Sequence, residues 1–327
     1  MPLNRAAGLF LGLMLLALLA LCIALASGSA EISIADVVAT LRGDGSAANS
    51  SVVLELRLPR ALTAFAVGGL LAVAGVLMQV LLRNPLAEPY ILGTSGGAAV
   101  AALLAIAFGA GTLLVDTAAF GGAMAANLLV FAIAQGSGNW TPARLLLTGV
   151  VLAAGFSAAT TLLLALSPDQ HLRGMLFWLM GDLSFAHEPA RLLTLLAVIV
   201  TGTTLAARHL NVLSRGELEA AILGVRVASF RLVIFAVTAL ATAISVTAVG
   251  VIGFVGLVVP HLVRLVAGSD HRLLVPLSAL SGGILLLIAD TVARSVLPPR
   301  QLPVGALTAA IGVPVFLYLM SRNARST

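Results

Sequence analysis

ALTAFAVGGLLAVAGVLMQVLL, residues 61 to 82, runs for 22 positions without a charged side chain. A helix needs about 20 predominantly apolar residues to cross a hydrocarbon core of about 30 Å, so this run is long enough to span a bilayer. Comparable runs lie at 8 to 27, 91 to 109, 112 to 134, 144 to 166, 190 to 207, 230 to 250, 273 to 293 and 303 to 320. A further, shorter segment at 253 to 267 contains Pro260, His261 and Arg264. It is too short and too polar to face lipid alone, and it is expected to be buried among its neighbours, where broken helices are tolerated. The expected fold is an all-α polytopic membrane protein of about ten transmembrane helices, forming one domain over residues 1–327.

Composition agrees: 60% of the chain is hydrophobic and 9% charged, against roughly 25% charged in a soluble domain. All 18 basic residues are arginine, for the sequence contains no lysine. A GxxxxGK[ST] phosphate loop needs its lysine to reach the phosphates, and Schiff-base chemistry needs a lysine amine, so both are excluded from this chain. The net charge of +5 is what arginine retained beside cytoplasmic loops produces, and nucleic acid is not an expected partner. The single cysteine, Cys22, lies in the first apolar run and is expected to be a small core residue. That run is longer than the 7 to 15 residues usual for the apolar part of a signal peptide, so it reads as a retained first helix.

An even number of spans places both termini on one side, and the positive-inside tendency chooses the cytoplasm: that orientation leaves 11 arginines inside and 7 outside. The outer group of Arg57, Arg60 and Arg294 runs against the tendency. The connection at 208 to 229, RHLNVLSRGELEAAILGVRVAS, is the longest polar segment on the inner side. It reads as two short helices separated at Gly224. Leu218, Ala221, Ile222 and Leu223 beside Glu217 and Glu219 make it either an ordinary surface loop or an element that docks a partner.

Four motifs stand out: RLPR at 57 to 60, MQVLLRNPLAEPYILGTSGGA at 78 to 98, GVIGFVGLVVPHLVR at 250 to 264, and LPVGALTAAIGVPVFL at 302 to 317. In the second, Asn84 precedes Pro85, and Pro85 and Pro89 disfavour helix at the residues before them. Gly93, Gly96 and Gly97 then permit close backbone approach. The segment is expected to be a packed turn, with a moving gate as the alternative. In the third, Gly253 and Gly256 admit a neighbouring helix before a polar end at Pro260, His261 and Arg264. His261 has no second histidine at ligand spacing, so a structural hydrogen bond is expected and no metal site. His171, His187, His209 and His271 are scattered over loops. An ion-driven carrier would show carboxylates deep in the membrane. Here Asp116 and Asp290 sit near span ends, and Asp290 can pair with Arg294 four residues later. FWLMGDL at 177 to 183, with Trp178, reads as an interfacial anchor and short helix.

Together the four motifs resemble the FecCD family of permeases, the membrane subunits of type II ABC importers for ferric siderophores, heme and cobalamin. The resemblance implies a homodimer of ten-helix subunits in the inner membrane, with two ATP-binding cassette ATPase chains beneath it. A periplasmic or surface-anchored binding protein docks outside. The chain would have no catalytic residue, metal or cofactor of its own, ATP and Mg being bound by the ATPase. The family's ATPase-inserting loop maps onto Glu217, Leu218, Ala221 and Gly224. Arg57 and Arg60 match the RLPR motif, Arg294 follows the Asp290 helix, and the three resemble a docking site for glutamates of the binding protein. The competing reading pairs Arg57 with Glu55 and Arg294 with Asp290. Ferric siderophore is the commonest cargo theme, with heme and cobalamin as alternatives. A secondary carrier or a membrane-embedded enzyme would need features that the sequence does not display.

Overall fold

A computed structural model describes residues 3–28, 32–136, 140–184, 189–297 and 300–323; His187 lies outside them. The chain begins with α1 (Leu3–Ala26), then α2 (Ile34–Arg42), α3 (Ala47–Ser50), and a π-helical stretch (Ser51–Arg57) leading into α4 (Leu58–Leu82). A 3-10 turn (Pro89–Leu92) precedes α5 (Thr94–Ala107), α6 (Thr112–Gln135), α7 (Pro142–Leu166) and α8 (Asp169–Met180). The rest is α9 (Pro189–Leu205), α10 (Ala207–Leu213), α11 (Glu217–Ile222), α12 (Val227–Val249), α13 (Val255–Ala267), α14 (His271–Ser295) and α15 (Val304–Asn323).

Among the described residues, six helical segments are long and apolar enough to cross a membrane, and α9 with α10 forms one more, bent by 61°. α5, α13 and most of α15 are shorter apolar helices. These are the ten segments expected, with ends within a few residues of the apolar runs. The helix starts follow local chemistry. Pro59 and Pro142 occupy first turns, where a missing N–H costs nothing, and Thr141 and Asp270 cap α7 and α14 by accepting from Arg144 N–H and Arg272 N–H.

α4 is the hub, packed against α9, α12, α13 and α14, and 94% of its most apolar window is buried. Lipid supplies no hydrophobic drive for helix association, so close backbone packing at small residues must do this work. A Cβ at Gly75 would collide with the carbonyl of Gly256 on α13, and one at Gly68 with the carbonyl of Gly282 on α14. Gly256 itself lies against Leu71 O and Pro89. The third motif thus fits into α4 through paired glycines, and α13 is buried from Val255 to His261, as its length and polarity required. By contrast, only 6% of the corresponding window of α7 is buried, leaving Leu147, Val151 and Leu162 on an outer apolar surface.

Two expectations are corrected. Cys22 lies on the exposed face of α1 rather than in the core, because the buried side of that helix is taken by Ala20, Ala24 and Leu25. The two short helices of the 208 to 229 connection are α10 and α11, and they separate between Leu213 and Glu217. Gly224, at φ 83°, ends α11 instead of dividing the pair.

Candidate functional site

One end of the bundle presents α11. Leu218, Ile222 and Leu223 are 76%, 76% and 67% exposed, with Ala221 beside them on the surface and Ala220 turned into the core. The face is apolar and short, and it stands on a fixed base. Glu217 is directed inward: its Oε2 accepts from Arg231 Nη1 at 3.0 Å, and its Oε1 lies 3.6 Å from Arg83 Nη2. Arg231 is buried in α12. Its Nη2 donates to Trp140 O at 3.1 Å, and its guanidinium stacks 3.7 Å from the Trp140 ring centroid, a cation–π contact. Arg83 closes α4 in the left-handed conformation, φ 50°. One carboxylate therefore ties α11 to the end of α4, the start of α12 and the segment before α7. Nearby, Asn211 of α10 donates to Asp270, and this hydrogen bond holds the Asp270 carboxyl below the usual carboxylate range.

Arg83 is also the first residue of RNPLAEP. Asn84 Oδ1 accepts from Leu86 N–H at 2.9 Å, an Asx turn, so Asn84 and Pro85 redirect the chain back along α4. The returning segment ends on the α12–α13 break: Glu88 Oε1 accepts from Phe254 N–H at 2.9 Å, beside Gly253. Phe254 has φ 69°, a cost for a non-glycine residue that this bond offsets. Gly93, at φ 74°, closes the 3-10 turn and starts α5. Gln79 Oε1 accepts from Arg264 Nη2 at 2.9 Å. The second and third motifs, whose nearest ends at 98 and 250 are 152 residues apart in the sequence, meet here as one buried joint. His261 lies in that joint, yet its Nδ1 finds no hydrogen-bond partner among the described residues, so the structural bond expected for it is not seen at that atom.

The opposite end gathers Arg57, Arg60, Arg294 and Asp290. Arg60 Nε and Nη2 donate to Asp290 Oδ1 at 3.0 and 2.8 Å, and Arg60 Nη1 donates to Gln301 at 2.9 Å. Asp290 is 1% exposed. Arg294 Nε lies 3.7 Å from Asp290 Oδ2, the i,i+4 contact anticipated, but Arg60 makes the closer pair. Arg57 donates to Leu25 O and Ala26 O at 2.7 and 2.9 Å, while Arg294 donates to Ser27 O and Ala24 O. Both arginines thus satisfy the last carbonyls of α1, where positive charge is favoured. The three side chains are mostly buried, so any charge they offer a partner acts through the field at this end more than through free guanidinium groups. Nearby, Phe177 and Trp178 of α8 line a cavity of about 270 Å³ with Asp116 and Asp182.

The Arg83–Glu217–Arg231–Trp140 arrangement and the Glu88–Phe254 bond leave no mark in the sequence, because nothing in a single sequence links residues so far apart. Residues 15–322 match the model of the FecCD transport family. The chain is 43% identical to the hemin transport system permease protein HmuU of Yersinia pestis, covering 83% of each. It is 44% identical to the cobalamin import system permease protein BtuC of Halobacterium salinarum, over 82% of this chain and 73% of that one. With the ferric enterobactin transport system permease protein FepD of Escherichia coli it shares 40% identity, over 96% and 95%. The structure of a metal-chelate type ABC transporter in an inward-facing conformation superposes with a TM-score of 0.84 and 33% identity, covering 96% of this chain and 98% of that one.

Proposed function

The chain belongs to the FecCD transport family, and from that premise we propose that it is the membrane-spanning permease of an ATP-driven metal-chelate importer, with ferric siderophore as cargo. The observation that carries the reading is α11, a short apolar face with Leu218 76% exposed, fixed at its base by Glu217. Such a face suits a partner that pushes on the bundle. Two copies of the chain enclose the pathway, two ATPase subunits engage α11 of each copy, and a binding protein delivers cargo at the end bearing Arg57, Arg60 and Arg294. The termini lie in the cytoplasm. The joint of Asn84, Pro85 and Gly93 with Gly253, Gly256, Pro260 and His261 is the element whose packing differs between the two access states, and each partner favours one of those states.

An ion-coupled carrier is the weaker reading, because the buried carboxylate Asp290 is already engaged by Arg60. Heme and cobalamin remain the second reading for cargo, favoured by the relatives named for hemin and cobalamin. The test is uptake in cells lacking other importers of these chelates, expressing the chain with its ATPase and binding protein. Saturable uptake of iron-55 ferric siderophore is expected. Uptake of heme or cobalamin alone would move the cargo to the second reading, and uptake of none of the three would remove the proposal.

A further inference from the structure

At the α11 end, a cavity of about 240 Å³ opens between α4, α13 and the start of α14. Its wall includes Gln79, Arg83, Asn84, Arg264, Ser269 and His271. Two arginines line it and, among the described lining residues, no carboxylate does. The neighbouring acid, Asp270, is engaged elsewhere, accepting from Asn211 Nδ2 at 2.8 Å and from Arg272 N–H at 3.1 Å. Arg264 spends one N–H on Gln79 and has no ion-pair partner among the described residues. Arg83 stands 3.6 Å from Glu217, beyond good hydrogen-bond length, and keeps donors to offer.

His271 adds the third element. It is 2% exposed, lines the cavity, and its Nε2 has no hydrogen-bond partner among the described residues. Its tautomer follows from its neighbours. The Asn211 amide is fixed, since its Nδ2 donates to Asp270 and its Oδ1 accepts from His271 N–H at 2.9 Å. The same Oδ1 lies 2.6 Å from His271 Nδ1, so Nδ1 carries the proton and Nε2 presents a lone pair. Two arginines and a histidine whose ring nitrogen is a buried, unpartnered acceptor thus share the wall of one cavity. An oxyanion without a proton would satisfy the arginines and leave Nε2 unpaired.

We propose that this cavity binds a phosphate-class oxyanion that retains a P–OH group, its charged oxygens on Arg83 and Arg264 and its hydroxyl donating to His271 Nε2. Arginine suits phosphate through its forked donors. Inorganic phosphate and a phosphomonoester lipid headgroup share this chemistry. The site does not depend on the transport reading, because binding is measured on the permease alone.

The chain in nanodiscs of phosphatidylcholine, whose diester headgroup has no P–OH, is titrated by calorimetry with inorganic phosphate and with sulfate near neutral pH. Saturable phosphate binding is expected, about tenfold tighter than sulfate because sulfate leaves the buried acceptor unmet. Arg264→Gln is expected to weaken phosphate binding at least about tenfold, as loss of a charge-assisted contact does, in protein whose thermal unfolding shows it folded. Should that variant fail to fold, the comparison of the two anions on the unaltered chain still decides. Absence of saturable phosphate binding, equal binding of both anions, or an unaffected Arg264→Gln variant would each overturn the proposal. Repeating the titration with phosphatidic acid in the disc identifies the source: displacement of phosphate supports the headgroup as resident ligand, and unchanged phosphate binding supports the free ion.

Discussion

A Leu218→Asp chain is expected to insert and fold normally yet to lose ATP-driven uptake by at least about 30-fold, the effect of removing one interface hot spot worth about 2 kcal/mol. Leu218 is 76% exposed, so the substitution costs the free permease almost nothing. In the proposed complex the ATPase covers the same position, where an unpaired carboxylate is expensive to desolvate. Ala221→Asp, on the same surface, is expected to act in the same direction. The measurement is uptake into proteoliposomes, with copurification of the ATPase recorded in parallel. Unchanged transport with normal assembly would show that α11 is not the docking element.

Removal of the Asp290 carboxylate is expected to have the largest effect on the permease itself. Asp290 is 1% exposed and holds Arg60, with Arg294 at 3.7 Å and Arg57 close enough to lie in the same cluster around the end of α1. Breaking one side of a buried pair costs about 3–5 kcal/mol because it leaves the other charge uncompensated. Asp290→Leu should therefore lower the thermal unfolding midpoint in detergent and reduce the amount accumulated in the membrane. Adding Arg60→Met removes the stranded charge, so the double variant should be more stable than Asp290→Leu alone. A tolerated Asp290→Leu, or a double variant worse than the sum of its parts, would mean that the pair does not hold this end together.

The spans were legible because their physics is local: an uninterrupted run such as 61 to 82 has only one way to satisfy its backbone in lipid. The short α13 was legible for the same reason, its Pro260, His261 and Arg264 marking it as unable to face lipid alone. The break between α10 and α11 was misplaced at Gly224, since Ser214, Arg215 and Gly216 offered an equally good stop that only packing selects. The functional joints were not legible. Gly75 and Gly256 look like ordinary small residues until α4 and α13 are placed together. Glu217 reads as the charged side of an amphipathic helix and gives no sign that it is pinned between Arg83 and Arg231. The arginines at the other end are legible from their charge and from the RLPR motif. Only the folded structure shows Arg57 and Arg294 closing α1, and Arg60 taking the partner expected for Arg294.

The most direct test of a permease that depends on a separate ATPase is reconstitution in proteoliposomes, first of the chain alone and then with its ATPase and binding protein. Without lysine the chain has no phosphate loop, so no ATP hydrolysis and no chelate uptake are expected from it alone, and ATP-dependent uptake is expected from the full set. ATP hydrolysis by the rigorously purified chain, or chelate uptake driven by an ion gradient without the ATPase, would contradict the assignment.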